Sequence, residues 1–138
     1  MAEIERITVE NFAPFGSVIE FPKDNHDNFY IVETEETEPW RLAVFRYSNH
    51  EIQRIERHPT SKESFEPLSG TTLLLTAETD TPENYHIFLL DRPICLKKNI
   101  WHQVLSLSDE AVVKITENRE VESVFYDLPK PIRTQVIE

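Results

Sequence analysis

Glycine is rare in this sequence, with two glycines among 138 residues. Phosphate-cradling loops and dinucleotide-binding turns need several closely spaced glycines, so we exclude both kinds of nucleotide site. Cysteine is rarer still, and the single thiol, Cys95, cannot form an intrachain disulfide. The sequence therefore lacks the disulfide pattern that would indicate a secreted protein. A chain of this length buries about 68–70% of its unfolded surface, so it can form a core without such cross-links.

Positive charge is scarce as well, because 14 Lys and Arg residues stand against 25 Asp and Glu residues, which gives a formal net charge of −11. A surface of that sign repels phosphate backbones and anionic lipid, so we predict no nucleic-acid partner and no membrane partner. It does not attract a small anionic substrate either. Such a ligand would need a locally positive pocket.

Long hydrophobic runs are also missing. The longest, Leu73–Leu75 and Ile87–Leu90, are far too short to span a bilayer, and the charged first residues lack the apolar segment of a signal peptide. We therefore expect a cytoplasmic protein with a single domain over residues 1–138. Residues 127–138 are expected to form a peripheral tail, because Pro129 and Pro131 lack the N–H donors that a central strand needs.

The sequence is rich in β-strand patterns. Short alternating or β-rich runs recur about every 8–14 residues, separated by Pro, Asn, Asp or Gly, and this rhythm predicts an all-β sandwich or small barrel. Residues 8–12 fit either one helical turn capped by Thr8 or a strand. The predicted strands are Ser17–Phe21, Phe29–Val32, Trp40–Tyr47, Glu51–Arg57, Thr71–Ala77, Tyr85–Leu90, Ile100–Leu105 and Ala111–Thr116.

Two acids and a histidine are crowded into eight residues of the middle of the chain. Residues two apart in a strand share a face, so Ile52, Glu56 and His58 are predicted to point the same way. After a turn, the returning strand puts Glu63 and Phe65 on a common face. If Ile52 and Phe65 point inward, the acids and the imidazole meet inside the barrel, where they cost several kcal/mol unless they are paired, protonated or bound to a metal.

A second patch, Lys97-Lys98-Asn99-Ile100-Trp101-His102, begins like a turn. Asn99 is able to adopt a positive φ in place of glycine. Ile100, His102 and Val104 then share one strand face, so His102 is a second candidate for an interior imidazole.

The spacing of these patches resembles the two motifs of the cupin superfamily. The first is matched by His58-x4-Glu63-x6-Gly70, with Glu56 at the ligand position two residues before the histidine, and the second by Asn99-x2-His102. The resemblance implies that Glu56, His58, Glu63 and His102 hold a divalent metal. Two imidazoles and two carboxylates suit Zn, Mn, Ni or Fe. The alternative is a site without any cofactor.

A more specific resemblance is to the ureidoglycolate lyase family, which has the cupin fold. It implies an all-β, cupin-type double-stranded β-helix (jelly-roll) barrel and a place in purine catabolism through allantoin degradation. We also predict a homodimer, because pairing with another subunit is one way to cover exposed strand edges. The matching segments are Phe12-Ala-Pro-Phe-Gly16-Ser-Val-Ile-Glu20, Phe45-Arg46, Ile52-x-x-Ile55-Glu56-Arg57-His58-Pro59, Phe65-x-Pro67-Leu68-x-Gly70 and Asn99-Ile100-Trp101-His102.

The family reaction splits ureidoglycolate, a small carboxylate, into glyoxylate and urea. The resemblance implies a catalytic set of Glu56, His58 and His102, in which His102 or Glu56 is the base and the other titrating group is the acid. The substrate carboxylate would be neutralised by positive side chains. The candidates for that role are Arg54, Lys97 and Lys98.

The chain also departs from the family pattern. Glu63 replaces the usual Gln, Leu96-Lys97-Lys98 stands for Tyr-His-Arg, and Gln103 stands for a second histidine after Trp-His. Two alternatives therefore remain beside the lyase. One is a non-catalytic cupin that binds a small carboxylate or sugar. The other is a metal-dependent cupin isomerase or dioxygenase, which the carboxylate of Glu63 favours.

Overall fold

Two β-sheets make up nearly all of the regular secondary structure in the computed structural model, which describes residues 3–134. The predicted all-β fold is confirmed. In chain order the elements are β1 (Ile4–Arg6), α1 (Val9–Phe12), β2 (Gly16–Val18), β3 (Trp40–Tyr47), β4 (Glu51–Arg57), β5 (Glu63–Ser69), β6 (Thr72–Ala77), β7 (His86–Leu89), β8 (Ile94–Leu96), β9 (Trp101–Ser106), β10 (Ala111–Asn118) and β11 (Val124–Arg133).

The sheet topology is that of a jelly-roll barrel. One sheet has the strand order β1-β7-β6-β9-β4-β11, and the other has the order β2-β8-β5-β10-β3. From β3 to β6, and again from β8 to β11, successive strands alternate between the sheets. This alternation winds the chain as a double-stranded β-helix, so the predicted cupin-type barrel is confirmed.

Two apolar clusters lie on opposite faces of the six-stranded sheet. The larger fills the barrel and includes Phe12, Leu74 and Phe88, whereas the smaller includes Leu73 and Leu75 on the other face. Every residue of β6 is therefore buried. Full burial of each of its three leucine side chains stabilises the fold by about 1.5–3 kcal/mol.

The short helix α1 follows from local sequence. Thr8 caps it, because its side chain accepts a hydrogen bond from the backbone N–H of Asn11 while the Asn11 side chain accepts one from the backbone N–H of Thr8. Of the two readings of residues 8–12, the helical turn is confirmed.

No helix in the described part of the chain is long and apolar enough to cross a membrane.

The structure differs from the sequence predictions in several segments. The short strands β1 and β8 were not predicted. The predicted strand Phe29–Val32 is wrong, because these residues are not in a strand and are not paired. The tail contributes a strand that the sequence did not predict, since residues 124–133 form β11 at the edge of the six-stranded sheet. Its pairing with β4 is interrupted between Asp127 and Ile132, around the two prolines. Residues 135–138 of the predicted tail lie outside the described residues.

Candidate active site

Three neighbouring parts of the barrel bring two acids and two histidines together. Glu56 on β4 is paired with His102 on β9 across the six-stranded sheet. His58 directly follows β4, and Glu63 begins β5. His58, Glu63 and His102 are buried, whereas the Glu56 side chain is 29% exposed. The cluster therefore lies inside the barrel with one carboxylate nearer to solvent.

The turn before β9 ties the two sequence patches to each other. Asn99 adopts a φ of 71°, which confirms its predicted left-handed conformation. Its backbone N–H donates a hydrogen bond of 2.9 Å to the carbonyl of His58. This bond holds the segment that carries His102 against the segment that carries His58.

Both imidazoles direct the same ring nitrogen at Glu63. The Nε2 atom of His102 lies 2.9 Å from Oε1 of Glu63, and the Nε2 atom of His58 lies 3.2 Å from the same oxygen. Oε1 of Glu56 is 3.8 Å from Nε2 of His102 and 3.9 Å from Nε2 of His58. Each Nε2 atom therefore lies within 4 Å of a carboxylate oxygen of both acids.

Backbone carbonyls determine how the imidazoles are protonated. The Nδ1 atom of His58 lies 2.9 Å from the carbonyl oxygen of Glu122, and the Nδ1 atom of His102 lies 2.9 Å from that of Ile100. A carbonyl can only accept, so each Nδ1 carries a proton. Each Nε2 atom then presents either a lone pair or a second proton to the cluster. Such outer partners are typical of metal-ligating histidines.

The acids and imidazoles shift each other's proton affinity. Burial alone would raise the pKa of Glu63, but the adjacent His102 and His58 lower it to about 2. Burial alone would lower the pKa of His58, but the adjacent carboxylate of Glu63 raises it to about 9. The pKa of His102 is raised for the same reason, against its burial. In the absence of a bound cation, the cluster therefore binds protons in its place.

Unsatisfied polar atoms indicate that the cluster fits a cation. Although Nε2 of His102 and Oε1 of Glu63 are only 2.9 Å apart, neither buried atom has a well-directed hydrogen bond. Ligand atoms of Glu56, His58 and His102 all lie within 4.8 Å of one another. Ligands about 2.0–2.2 Å from a common ion are at most about 4.4 Å apart, so small movements would complete a coordination sphere. The predicted ligand positions are compatible with a divalent metal.

The sequence analysis missed a fifth polar residue, Glu117 on β10. It pairs with Glu63 on β5, and its carboxylate lies within 4.8 Å of ligand atoms of both His58 and Glu63. Burial and the charge of Glu63 raise its pKa, and Arg41 partly offsets this effect. One signal was present in the sequence: Glu117 continues the alternation of the buried residues Val113 and Ile115.

A small cavity of about 60 Å³ adjoins the cluster. It suits a small ligand, and its wall combines aromatic and aliphatic groups with the acids and one imidazole. The lining residues are Phe45, Glu56, Glu63, Phe65, His102, Gln103, Val104 and Ile115. A larger cavity of about 600 Å³ lies between the five-stranded sheet and residues 29–35, and of the cluster residues it reaches only Glu117. The small cavity is the one lined by Glu56, Glu63 and His102.

The predicted carboxylate-binding residues lie elsewhere. Arg54 is exposed, and its Nε donates to Asp127 at 2.8 Å. Lys97 and Lys98 are exposed at the turn before β9. Among the ion pairs of residues 3–134, none joins Arg54, Lys97 or Lys98 to an acid of the cluster. The predicted common face of Ile52 and Glu56 is wrong. Ile52 packs with Ile55 in the smaller apolar cluster, because the alternation of β4 breaks between them.

Comparison with known proteins identifies a family for this chain. Residues 30–131 match the ureidoglycolate lyase family. The ureidoglycolate lyase of Agrobacterium fabrum is 29% identical, with 92% of each chain covered. That of Brucella anthropi is 31% identical, with 74% of this chain and 73% of the relative covered. Among solved structures, an R92A mutant of Bacillus subtilis oxalate decarboxylase is 15% identical with a TM-score of 0.49, covering 67% of this chain and 24% of that one.

Proposed function

The chain belongs to the ureidoglycolate lyase family, and we propose that it cleaves ureidoglycolate into glyoxylate and urea. The observation that carries this proposal is the convergence of Glu56, His58, Glu63 and His102 beside a cavity of about 60 Å³. The cavity suits a small substrate, and the cluster supplies groups that both accept and donate protons.

The reaction needs two proton transfers and no external oxidant. A base takes the proton of the substrate hydroxyl, so that the carbon–oxygen bond becomes a carbonyl. The carbon–nitrogen bond breaks, its electron pair goes to nitrogen, and an acid protonates that nitrogen to complete urea. Each positioned proton-transfer group is worth about 10²–10⁴ in rate.

The geometry suggests how these roles are divided. Glu56 is the best base, because its carboxylate lines the cavity and is the most exposed of the four side chains. His102 also lines the cavity, and its raised pKa lets Nε2 hold the proton that the leaving nitrogen requires. His58 keeps its Nε2 on Glu63 and orients that carboxylate between the two rings.

The same four side chains would hold a divalent cation, as the sequence resemblance implies. His58 and His102 would bind through Nε2, and Glu56 and Glu63 through their carboxylates. A bound Zn, Mn, Ni or Fe ion would lower the pKa of the substrate hydroxyl. Glu63 favours a metal-dependent reaction in this chain, because a buried carboxylate stands where the family carries an amide.

The proposed assembly is a homodimer in the cytoplasm. The strand β3 forms one edge of the five-stranded sheet and exposes Trp40, Leu42 and Val44. An exposed apolar edge of this kind is commonly covered by a partner, and a second copy would extend the sheet. The lone thiol of Cys95 is compatible with a reducing compartment.

The decisive experiment combines metal analysis with product measurement. We expect protein purified without chelator to release glyoxylate and urea in equal amounts from ureidoglycolate. If the metal-dependent form of the proposal is correct, the protein contains about one metal ion per chain, and chelation abolishes turnover. Turnover in metal-free protein would support a lyase that needs no metal. Absence of both products from metal-loaded and from metal-free protein would refute the lyase and favour the binding protein.

A further inference from the structure

The proposed substrate is an anion, whereas the protein carries a formal net charge of −11 and three carboxylates surround the site. We propose that Arg41 binds the substrate carboxylate, and that Glu117 is a positioning residue that holds the Arg41 guanidinium at the cluster. This inference rests on the proposed function, because it concerns the substrate of the same site. None of the sequence motifs includes either residue.

The two residues form a charged row across the five-stranded sheet. Arg41 on β3 pairs with Glu117 on β10, and Glu117 pairs in turn with Glu63 on β5. Cross-strand partners present their side chains on the same face, and neighbouring strands are about 4.8 Å apart. The backbone of Arg41 is therefore about 10 Å from that of Glu63, a gap that a long side chain can largely span.

Glu117 uses only part of the hydrogen-bonding capacity of Arg41. The Nε and Nη2 atoms of Arg41 donate to the same oxygen, Oε2 of Glu117, at 3.0 and 2.5 Å. A guanidinium has five N–H donors in a planar fork, which matches the two oxygens of a carboxylate. The Arg41 side chain is 49% exposed, whereas that of Glu117 is 7% exposed. The buried acid thus fixes one side of the guanidinium, and the other side stays accessible from solvent.

Charge balance explains why the site needs this arginine. Glu56, Glu63 and Glu117 place three carboxylates around the site, one more than the two protonated imidazoles balance, and this excess negative charge would repel an anionic substrate. Among the ion pairs that Lys and Arg form in residues 3–134, only that of Arg41 includes one of these acids. The other pairs are Arg6–Asp91, Arg46–Glu110, Arg54–Asp127, Lys62–Glu33, Arg92–Glu20, Lys114–Glu66 and Arg133–Glu51.

The experiment compares two substrates that differ in the carboxylate. Ureidoglycolate carries it, and N-(hydroxymethyl)urea has the same hydroxyl and leaving group without it. We expect Arg41→Ala to lower kcat/KM for ureidoglycolate about 10- to 100-fold, mainly through KM, because a charge-assisted contact is lost. The rate on N-(hydroxymethyl)urea should change less than about twofold. The ratio of kcat/KM for ureidoglycolate to that for N-(hydroxymethyl)urea is the preference for the carboxylate. Arg41→Lys should recover part of this preference, since lysine keeps the charge but lacks the planar fork of donors.

Matched variants separate recognition from structural damage. Arg46→Ala removes an exposed arginine of the same strand that pairs with Glu110, and it should leave both rates unchanged. Arg41→Ala with Glu117→Gln removes both partners, so no buried carboxylate is left unpaired, and the preference should still be lost. Glu117→Gln alone keeps Arg41 and should weaken the preference only partly. Equal losses on both substrates in the double variant, or an unchanged preference in Arg41→Ala, would overturn the inference.

A binding measurement tests Arg41 independently of turnover. Calorimetric titration with glycolate, a 2-hydroxycarboxylate that cannot be cleaved, should show at least about tenfold weaker binding to Arg41→Ala than to the unmodified protein. If the protein does not cleave ureidoglycolate, the proposed function fails, and this titration still decides the role of Arg41. Equal affinity, or no binding of glycolate by the unmodified protein, would count against it.

Discussion

Glu56 and His102 are cross-strand partners of β4 and β9, and Oε1 of the acid lies 3.8 Å from Nε2 of the imidazole. This pairing brings together two residues that are 46 positions apart in the chain. A one-residue slip between β4 and β9 would turn one of them to the opposite face of the sheet. The site therefore depends on strand register as much as on residue identity.

His102 is expected to be essential for turnover. His102→Ala should lower kcat on ureidoglycolate at least about 100-fold, because it removes a proton-transfer group from the cavity wall. The control is His50→Ala, which removes an imidazole whose Nδ1 contacts the Ser106 carbonyl away from the cluster. The rate at which glyoxylate and urea form is measured for both variants. A full rate in His102→Ala would remove this residue from the mechanism.

Glu63 is expected to determine metal affinity. Glu63→Gln restores the amide usual in the family and preserves side-chain shape, but it removes the negative charge that faces both Nε2 atoms. We expect divalent metal affinity to fall on the order of 100-fold, as measured by chelator competition. Glu66→Gln, on the same strand and paired with Lys114, is the matched control. Unchanged affinity would mean that Glu63 is not a ligand.

The stability of the metal-free protein should depend on pH in a defined window. The pKa of His58 is raised from 6.5 to about 9, so its stabilisation is complete below pH 6.5 and is lost as the pH rises to about 9. The pKa of Glu63 is lowered from 4.5 to about 2, so its stabilisation is present above pH 4.5 and is lost as the pH falls to about 2. The cluster should thus stabilise the fold most between pH 4.5 and 6.5.

Thermal unfolding of chelator-treated protein between pH 5.5 and 9 tests this expectation. The midpoint should fall across that range by more in the unmodified protein than in Glu63→Gln, which lacks the charge that raises the pKa of His58. Parallel curves for the two proteins would show that the pH dependence arises elsewhere.

Asn99 should be replaceable by glycine but not by alanine. Its φ of 71° is left-handed, a conformation that costs a residue with a β-carbon about 1–2 kcal/mol unless it is Asn or Asp. Asn99→Ala should therefore lower the free energy of unfolding by about that amount, and Asn99→Gly by less. Both variants lose the side-chain contact with Arg57, so their difference isolates the backbone effect. Urea unfolding measures this difference in the free energy of unfolding. Equal losses in the two variants would show that the backbone conformation of Asn99 does not matter for stability.

The apolar edge of β3 should mediate dimerisation. Val44→Lys places a charge on an edge residue that is 73% exposed, and we expect it to shift the protein from dimer to monomer in sedimentation velocity. Phe29→Lys, which changes a residue of similar exposure outside the strands, is the control. A dimer that persists in Val44→Lys would place the interface on another surface.

Local sequence patterns predicted much of the fold. The alternation of residues 40–47 and 51–57 predicted β3 and β4 with their observed ends, and the turn propensity of Asn99 predicted its backbone conformation. The spacing of His58, Glu63 and His102 resembled two known motifs closely enough to indicate a barrel. These features depend on near neighbours in the chain, which is why the sequence alone could reveal them.

Tertiary structure decided what lies beside the motifs. Glu117 and Arg41 lie beside the cluster only because β10 pairs with β5 and with β3. In each of these pairings, Glu117 is more than 50 residues from its partner in the chain. Pairing with β4 likewise placed β11 at a sheet edge, whereas residues 29–32 stayed unpaired. Alternation within a strand determines which side chains share a face, but hydrogen bonds between distant strands determine which of those faces meet.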